Sequence, residues 1–386
     1  MNYLPCSQQS ISREDADAVN WALSQPLISR GPLVGEFEKA IADYCRVDYA
    51  VAFSSGSAAL MAAYYAAEVG PADRILTSPN SFISTVGSGV QRGATAVFCD
   101  IDRSTGNLNI EQLAISMNDP SIRGKTVIVV PHFAGTPVDM AAIDEQIADP
   151  RTVVIEDAGH ALGSCYKDGQ RIGCCASSDL TVLTFQSSDT ITTGEGGMVT
   201  TNNPELYHRL RLFRNNGIEC DPNFLQYDNA PWYYEVVSLT GNYHLTEMQA
   251  ALGLSQLMRI DYFINKRQQL LQLYREKLAN FPHLQLLSST SDPHVCPNLC
   301  VIQVDFKAHR TSRTAVVEQL KERDIGTRVH FIPLYRHPIF RNRAGDLSEY
   351  FPEMEAYYAE TLSLPFYTDL HENDVNHIVR ALKEVL

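Results

Sequence analysis

A run of small polar residues stands directly before an apolar segment in the N-terminal part of the chain. Residues 54–57 read SSGS, and the following AALMAAYYAA has the composition of a helix. Small residues let an anion approach the unpaired N–H groups and the positive dipole at a helix N-terminus. Serine and glycine are equally common there as plain capping residues, so the pattern fits a phosphate-binding turn or a simple helix start.

A carboxylate and an imidazole follow another apolar segment. The sequence VVIEDAGHALGS has Asp157 at the end of a predicted strand and His160 three residues later. A carboxylate in that position can pair with a protonated ring nitrogen, and the imidazole can lie beside the same ring. Alternatively, Asp157 caps the next turn and His160 packs against it.

Two further segments have polar residues next to predicted turns. Asp189 stands between the apolar DLTVLTF and the glycine-rich TGEGG, which by itself indicates a tight turn that leads into a strand. Asn242 lies in a loop before a long helical pattern. It is either a turn residue or a donor to a phosphate group.

The elements that must position these residues alternate between strands and helices. Alternation of this kind predicts a mostly parallel sheet, whose ligands lie at the carboxyl ends of the strands. We therefore predict an α/β fold with a large domain over residues 1–255 and a smaller C-terminal α/β domain over residues 256–386. The predicted strands of the large domain are RILTSP, TAVFCDID, KTVIVVPHFAG, RTVVIEDA and DLTVLTF.

Composition limits the functional classes. The chain has 386 residues and a net charge of −14, which argues against a nucleic-acid partner or an anionic membrane surface. Its nine cysteines form no repeated C-x2-C pattern, so we expect reduced thiols and no metal site. The N-terminus has no basic-then-apolar signal and no apolar run of 18 residues occurs, which predicts a cytoplasmic protein without a membrane span.

In combination, the motifs resemble one known family along nearly the whole chain. SSGSAAL, IEDAGHALGS, TTGEGGMVTTN, NYHLTEMQAALGLSQL and VHFIPLYRHPIF are similar to segments of the DegT/DnrJ/EryC1/StrS sugar aminotransferases. These are fold-type I enzymes, similar to aspartate aminotransferase, that use pyridoxal 5'-phosphate (PLP). The branch that aminates C4 of UDP-linked 4-keto-6-deoxy-N-acetylhexosamines is the most similar.

The resemblance implies a role for each motif residue. Ser57 and Ala58 would contact the cofactor phosphate, and Phe82 would stack on the pyridine ring. Asp157 would pair with the ring nitrogen and keep the ring an electron sink. His160 would lie near the ring, and Thr184 would donate to the phosphate. Asn242 would serve the cofactor of the other subunit, which implies a homodimer with shared sites.

Asp189 departs from the family pattern, which commonly reads SFHPVK before TITTGEGG. The chain has TFQSSD there, so the lysine that binds PLP covalently is replaced by Asp189. A carboxylate cannot form that bond, yet it can accept a proton, so Asp189 is a candidate catalytic residue. His160, expected near the ring, is the other candidate.

We therefore predict an enzyme that holds PLP or pyridoxamine phosphate (PMP) non-covalently and acts on a nucleotide-linked 4-keto-6-deoxy sugar, for which the resemblance implies a UDP link. Two alternatives stay open. One is a PMP-dependent dehydratase, because related deoxysugar 3-dehydratases have histidine in place of the lysine. The other is a non-catalytic homologue that binds a sugar nucleotide or an active partner.

Overall fold

A twisted sheet of seven strands forms the centre of the fold. The structure is a computed structural model that describes residues 3–117, 124–228, 230–287 and 292–386. The strand order is β1-β7-β6-β5-β4-β2-β3, and only β7 runs antiparallel to its neighbours. The strands are β1 (Tyr49–Phe53), β2 (Arg74–Thr77), β3 (Thr95–Phe98), β4 (Thr126–Pro131), β5 (Val153–Asp157), β6 (Leu180–Thr184) and β7 (Gly197–Thr201). The predicted α/β fold with a mostly parallel sheet is confirmed.

Both faces of this sheet are covered, which explains why its strands are almost continuously apolar. Along β4, Val127 and Val129 pack into the core on one face, and Ile128 and Val130 pack into the core on the other. Successive side chains of a strand point to opposite faces, so one apolar run fills two cores. The helices of this part are α1 (Arg13–Leu23), α2 (Pro32–Cys45), α3 (Gly56–Ala66), α4 (Ile83–Gln91), α5 (Ile110–Met117), α6 (Met140–Asp144) and α7 (Pro204–Arg214).

A close approach between α4 and the sheet depends on a glycine. A Cβ atom at Gly89 would lie 2.3 Å from Ile75 Cδ1 and 2.7 Å from Tyr64 Cε1. Any larger residue would therefore push α4 away from the sheet. Since α4 begins directly after Phe82, this contact helps to fix Phe82 at the end of the sheet.

The C-terminal part contains a separate antiparallel sheet of three strands, in the order β10-β11-β12. Two consecutive helices lead into it, as the long helical pattern predicts. The remaining elements are β8 (Ile218–Glu219), β9 (Glu235–Val236), α8 (Glu247–Met258), α9 (Ile260–Leu278), β10 (Leu284–Leu286), β11 (Cys300–Val304), α10 (Arg313–Glu322), α11 (Pro338–Ala344), α12 (Pro352–Glu360), β12 (Thr361–Leu364) and α13 (Glu372–Val385).

The domain boundary between residues 255 and 256 stays a prediction; it falls within α8. One predicted helix is shorter than its pattern: DMAAIDEQIAD spans residues 139–149, whereas α6 ends at Asp144. Among the helices of the described residues, none combines the length and the apolar character needed to cross a bilayer.

Candidate active site

The carboxyl ends of the parallel strands surround a cavity of about 210 Å³. Register brings the ends together, because Pro131 of β4 pairs with Asp157 of β5, and Asp157 pairs with Val182 of β6. Six of the residues singled out from the sequence line this cavity: Ser57, Phe82, Asp157, His160, Thr184 and Asp189. Two larger cavities, of about 730 and 800 Å³, lie elsewhere and include none of these six.

Asp157 ends β5 with its carboxylate held from two sides. Thr85 Oγ1 donates to Oδ2 at 2.5 Å, and the N–H of Gly159 donates to Oδ1 at 3.3 Å. Burial raises the pKa of Asp157, although the bonds from Thr85 and Gly159 act in the opposite direction. A cationic group placed in the cavity would lower this pKa again, because it favours the ionised carboxylate.

His160 follows one turn later and packs among aromatic rings. Its ring is stacked on Phe331 at a centroid distance of 6.0 Å and an interplanar angle of 12°, and it meets Phe133 edge-on at 6.2 Å. Burial, reinforced by the charge of Arg267, lowers the pKa of His160 to about 4. The imidazole is therefore neutral at physiological pH.

Asp189 lies in the cavity next to the end of β6 and is 8% exposed. Its Oδ2 accepts hydrogen bonds from Thr184 Oγ1 and from the N–H of Gln186, both at 2.7 Å. Its Oδ1 has only a long contact of 3.4 Å from Ser188 Oγ. Burial raises the pKa of Asp189 to about 6, against the lowering effect of these bonds and of Arg267. One carboxylate oxygen is thus fixed by the chain, and the other retains acceptor capacity near neutral pH.

Thr184 connects several parts of the site. Its hydroxyl reaches Asp189 Oδ2 at 2.7 Å and the carbonyl of Gly159 at 3.2 Å. Its methyl group lies against the start of α3, where a Cβ atom at Gly56 would come within 2.3 Å of Thr184 Cγ2. Since the single hydroxyl proton already has two acceptors within the chain, donation from Thr184 to a phosphate stays a prediction.

The N-terminus of α3 opens into the same cavity. Ser55 is the N-cap, and its Oγ accepts the N–H of Ala58 at 3.1 Å. Ala58 is buried and its N–H already has this partner, whereas Ser57 is exposed on the cavity wall. Ser55 therefore caps the helix, while Gly56 and Ser57 leave an N-terminus that faces the cavity, and phosphate binding there stays a prediction.

Two of the predicted site residues lie apart from or beside this cavity. Ala58 is not on its wall, and Asn242 is exposed outside it. The side chain of Asn242 accepts the N–H of His244 at 3.2 Å, and its backbone bridges to Asn215. In this chain Asn242 is a turn residue, and its role toward a second subunit stays a prediction.

The cavity wall also contains residues that sequence reasoning missed. Arg328, His330 and Phe331 come from the segment between α10 and α11, far from the strand ends in sequence. Arg328 is the one arginine or lysine on the wall as the described residues form it. The sequence signal for them is the family-like segment VHFIPLYRHPIF, which contains His330 and Phe331 and directly follows Arg328.

A buried polar cluster lies behind Asp157 on the opposite face of β5. Glu156 is 1% exposed and accepts hydrogen bonds from His132 Nε2 at 2.7 Å and Ser178 Oγ at 2.5 Å, and also from the hydroxyl of Tyr166. The N–H of Val138 donates to His132 Nδ1, so Nε2 bears the proton of this histidine. The cluster fixes the end of β5 and thereby the position of Asp157.

The fold is that of PLP-dependent sugar aminotransferases, and comparison with known proteins shows the family. The model of the DegT/DnrJ/EryC1/StrS aminotransferase family matches residues 9–383, and the chain belongs to this family. It is 35% identical over 387 aligned positions to the spore coat polysaccharide biosynthesis protein SpsC of Bacillus subtilis, covering 100% of this chain and 97% of SpsC.

Solved structures support the same assignment. PseC of Helicobacter pylori, an aminotransferase involved in the biosynthesis of pseudoaminic acid, superposes with a TM-score of 0.89 at 27% identity, over 100% of this chain and 99% of PseC. The putative sugar aminotransferase Spr1654 of Streptococcus pneumoniae in its PMP form gives a TM-score of 0.88 at 24% identity, over 99% and 98% of the two chains, and supports the fold.

Proposed function

We propose that this chain is a sugar-nucleotide enzyme of the aminotransferase family that holds PMP or PLP without a covalent bond. The observation that carries the proposal is Asp189, which lines the cavity at the position after β6 where the family motif has its lysine. No lysine lines the cavity within the described part of the chain. Covalent attachment therefore has no amine to form it.

The residues present fit a phosphorylated pyridine cofactor. Asp157 offers a buried carboxylate for a protonated ring nitrogen, and Phe82 offers a ring that is 58% exposed. The N-terminus of α3 at Gly56 and Ser57 offers N–H groups for a phosphate. When bound, PMP supplies an amino group and an electron-withdrawing ring.

Asp189 would serve as the proton acceptor in this site. Thr184 and Gln186 hold Oδ2, which orients the carboxylate, and Oδ1 remains to accept a proton. With a pKa of about 6, Asp189 is mostly ionised at pH 7 and close to the value that suits a general base. His160 is neutral and would lie beside the ring without adding charge.

The proposed substrate is a nucleotide-linked 4-keto-6-deoxy sugar, with UDP as the expected nucleotide. The family and the relatives SpsC and PseC support a sugar substrate. Arg328 on the cavity wall supplies a guanidinium group for an anionic part of the ligand, such as a phosphate or a carboxylate. The observations favour amination or PMP-dependent dehydration equally, and the product distinguishes them.

A second candidate is a non-catalytic homologue, which one observation favours. Two donors within the local turn satisfy Asp189 Oδ2, an arrangement that would also stabilise a purely structural turn. In that case the cavity would bind a sugar nucleotide, and Asp189 would have no chemical role.

We further propose a homodimer with shared sites. The segment 220–239 supports it, because Tyr227, Trp232 and Leu239 are 84%, 82% and 95% exposed in the single chain. Large exposed apolar side chains mark interaction surfaces. We expect a total interface above ~2,000 Å², the size of obligate dimers. Light scattering that gives a monomer at micromolar concentration would contradict this.

The test compares the native protein with Asp189→Lys and with the control Asp168→Lys, which adds a lysine on an exposed loop outside the cavity. Each protein is incubated with PLP, reduced with borohydride and weighed intact by mass spectrometry. We expect cofactor mass, and a visible absorption band before reduction, only for Asp189→Lys. A borohydride-stable cofactor adduct on a lysine of the native protein would overturn the non-covalent assignment.

Binding and turnover are measured in the same samples. Equilibrium dialysis with PMP should give saturable binding to the native protein, and a UDP-linked 4-keto sugar should be consumed when PMP is present. An aminated product indicates transfer, whereas a product that has lost water indicates dehydration. PMP binding without consumption of any keto sugar would favour the non-catalytic homologue.

A further inference from the structure

Arg267 is the largest of the fully buried side chains and lies next to the candidate base. It belongs to α9, and only 2% of the residue is exposed. Burial lowers the pKa of its guanidinium group, because removing the charge from water disfavours the charged form. Among the described residues, Arg267 has no carboxylate within ion-pair distance. A buried cation of this kind is costly unless its hydrogen bonds replace its hydration.

Main-chain carbonyl groups supply those bonds. Nη2 donates to the carbonyl oxygen of Asp189 at 3.0 Å and to that of Ser188 at 3.4 Å. Nη1 donates to the carbonyl oxygens of Asn298 at 3.3 Å and Pro297 at 3.4 Å. One planar guanidinium group thus connects α9 with two other segments, and one of these segments is the backbone of Asp189 itself.

Asp189 is therefore held at both ends. Thr184 and the N–H of Gln186 hold its carboxylate, and Arg267 holds its carbonyl. Because the main chain at residue 189 cannot shift away from α9, the side chain keeps one direction toward the cavity. The guanidinium Nε has no hydrogen-bond partner among the described residues, so the hydrogen bonds of the group go to these carbonyls, while its face lies over the ring of Phe366 at 5.8 Å.

Arg267 does not line the cavity, yet its charge affects the pKa of two residues that do, Asp189 and His160. Burial has the largest effect on the pKa of Asp189 and raises it. The hydrogen bonds from Thr184 and Gln186 lower this pKa, and the charge of Arg267 lowers it further. For His160, burial lowers the pKa and Arg267 lowers it further. One buried cation thus favours the ionised form of the carboxyl and the neutral form of the imidazole.

We propose that Arg267 is a positioning residue that fixes Asp189 through its hydrogen bonds to the main chain of residues 188 and 189. The significance for catalysis rests on the proposed function, since it needs Asp189 to be the proton acceptor. The hydrogen bonds by which Arg267 would position Asp189 all lie within this chain. This role explains why a guanidinium group occupies a position where an apolar side chain of similar length would pack at lower cost.

Several other titratable groups line the same cavity as Asp189 or lie near Arg267. Asp157 and His160 line the cavity from β5 and the following turn, and Arg328 and His330 line it from the segment before α11. Cys296 lies near Arg267, and its pKa is raised by burial. None of these groups donates to the carbonyl of Asp189, so removing the Arg267 charge tests one contact.

The experiment uses the full chain without added ligand. Asp carboxyl carbons are labelled with ¹³C, the Asp189 signal is assigned by its loss in Asp189→Asn, and its pH titration is compared in three variants. Arg267→Met removes the charge, Arg267→Lys keeps a charge but cannot span four carbonyls, and Arg74→Met is the control. Arg74 is also buried and donates to the carbonyls of Ser116 and Met117, far from Asp189 in the sheet.

In Arg267→Met we expect the Asp189 midpoint to rise from about 6 by roughly half a pH unit or more, as loss of a nearby positive charge requires. Amide hydrogen exchange of residues 186–190 should quicken roughly tenfold or more, because charge-assisted bonds to two carbonyls are lost. Arg267→Lys should recover most of the native midpoint but not the slow exchange. Arg74→Met should change neither quantity.

An unchanged Asp189 midpoint and unchanged exchange in Arg267→Met would overturn the proposal. If Arg267→Met does not fold, Arg267→Lys decides, and native exchange of residues 186–190 in that variant would overturn it equally. A protein that binds no PMP would contradict the proposed function, while the midpoint and the exchange rates would still report on Arg267.

Discussion

Replacing Asp189 by asparagine tests whether this carboxylate is under electrostatic strain in the folded chain. Asparagine has nearly the same shape, and its amide oxygen can still accept from Thr184 and from the N–H of Gln186. The substitution therefore removes the ionisable group and leaves the local turn. Its effect on stability should depend on pH in a direction that the structure determines.

The direction in which stability changes with pH follows from the raised pKa of Asp189. Burial holds the pKa of Asp189 at about 6 in the folded chain, against an ordinary value of 3.8, so the folded state binds more protons between these values. Stability from this group is fully present below 3.8 and is lost as pH rises through 6. The total loss corresponds to about 3 kcal/mol, of which about half falls between pH 5 and pH 8.

The assay is urea unfolding of the native protein and of Asp189→Asn, without bound ligand, at intervals from pH 5 to pH 8. The stability of Asp189→Asn relative to the native protein should increase by roughly 1 kcal/mol or more over this range. Asp139→Asn is a control whose pH profile should parallel that of the native protein from pH 5 to pH 8, because the bond from the N–H of Ala142 lowers the pKa of Asp139 and keeps its titration below this range. Parallel pH profiles for Asp189→Asn and the native protein would refute the reasoning.

Two further substitutions test the neighbouring carboxylates of β5. His132 Nε2 and the hydroxyl of Tyr166 donate to Glu156 Oε2, and the hydroxyls of Ser178 and Thr181 donate to Oε1. Glu156→Gln replaces one of these oxygens with an amide nitrogen that cannot accept, so the free energy of unfolding at pH 7 should fall by about 2–4 kcal/mol. Tyr166→Phe, which removes one donor only, should cost less in the same urea titration. Asp157→Asn should weaken PMP binding by calorimetry while the bond from Thr85 persists, and an unchanged affinity would assign Asp157 to the local turn.

Much of the central sheet could be predicted from sequence because its strands are buried on both faces. The runs that contain β2 to β6 are continuously apolar, and each ends next to a turn. By contrast, α4 has the sequence ISTVGSGVQ, whose two glycines argue against a helix. It forms because Gly89 permits close contact with Ile75, a tertiary effect that no local pattern contains.

Some residues of the candidate site could likewise be predicted from the sequence, and others could not. Asp157 was identifiable because it ends an apolar run, and Asp189 because the family motif has its lysine there; parallel register brings the ends of β4, β5 and β6 together. Arg267 was not identifiable, since it is one arginine within a long amphipathic helix and most arginines in such helices are solvated. Only its packing against the carbonyls of Ser188 and Asp189 distinguishes it.

The position of Asp189 bears on the proposed replacement of the family's lysine. A carboxylate in an apolar cavity without donors would be protonated at neutral pH and would be a poor base. Here Thr184, Gln186 and the charge of Arg267 each favour the ionised form, and burial alone opposes them. The balance gives a pKa of about 6, which lies near the pH at which a general base is most effective. A turn that only had to be stable would gain from an asparagine at residue 189, so the strained carboxylate is the feature that favours a chemical role.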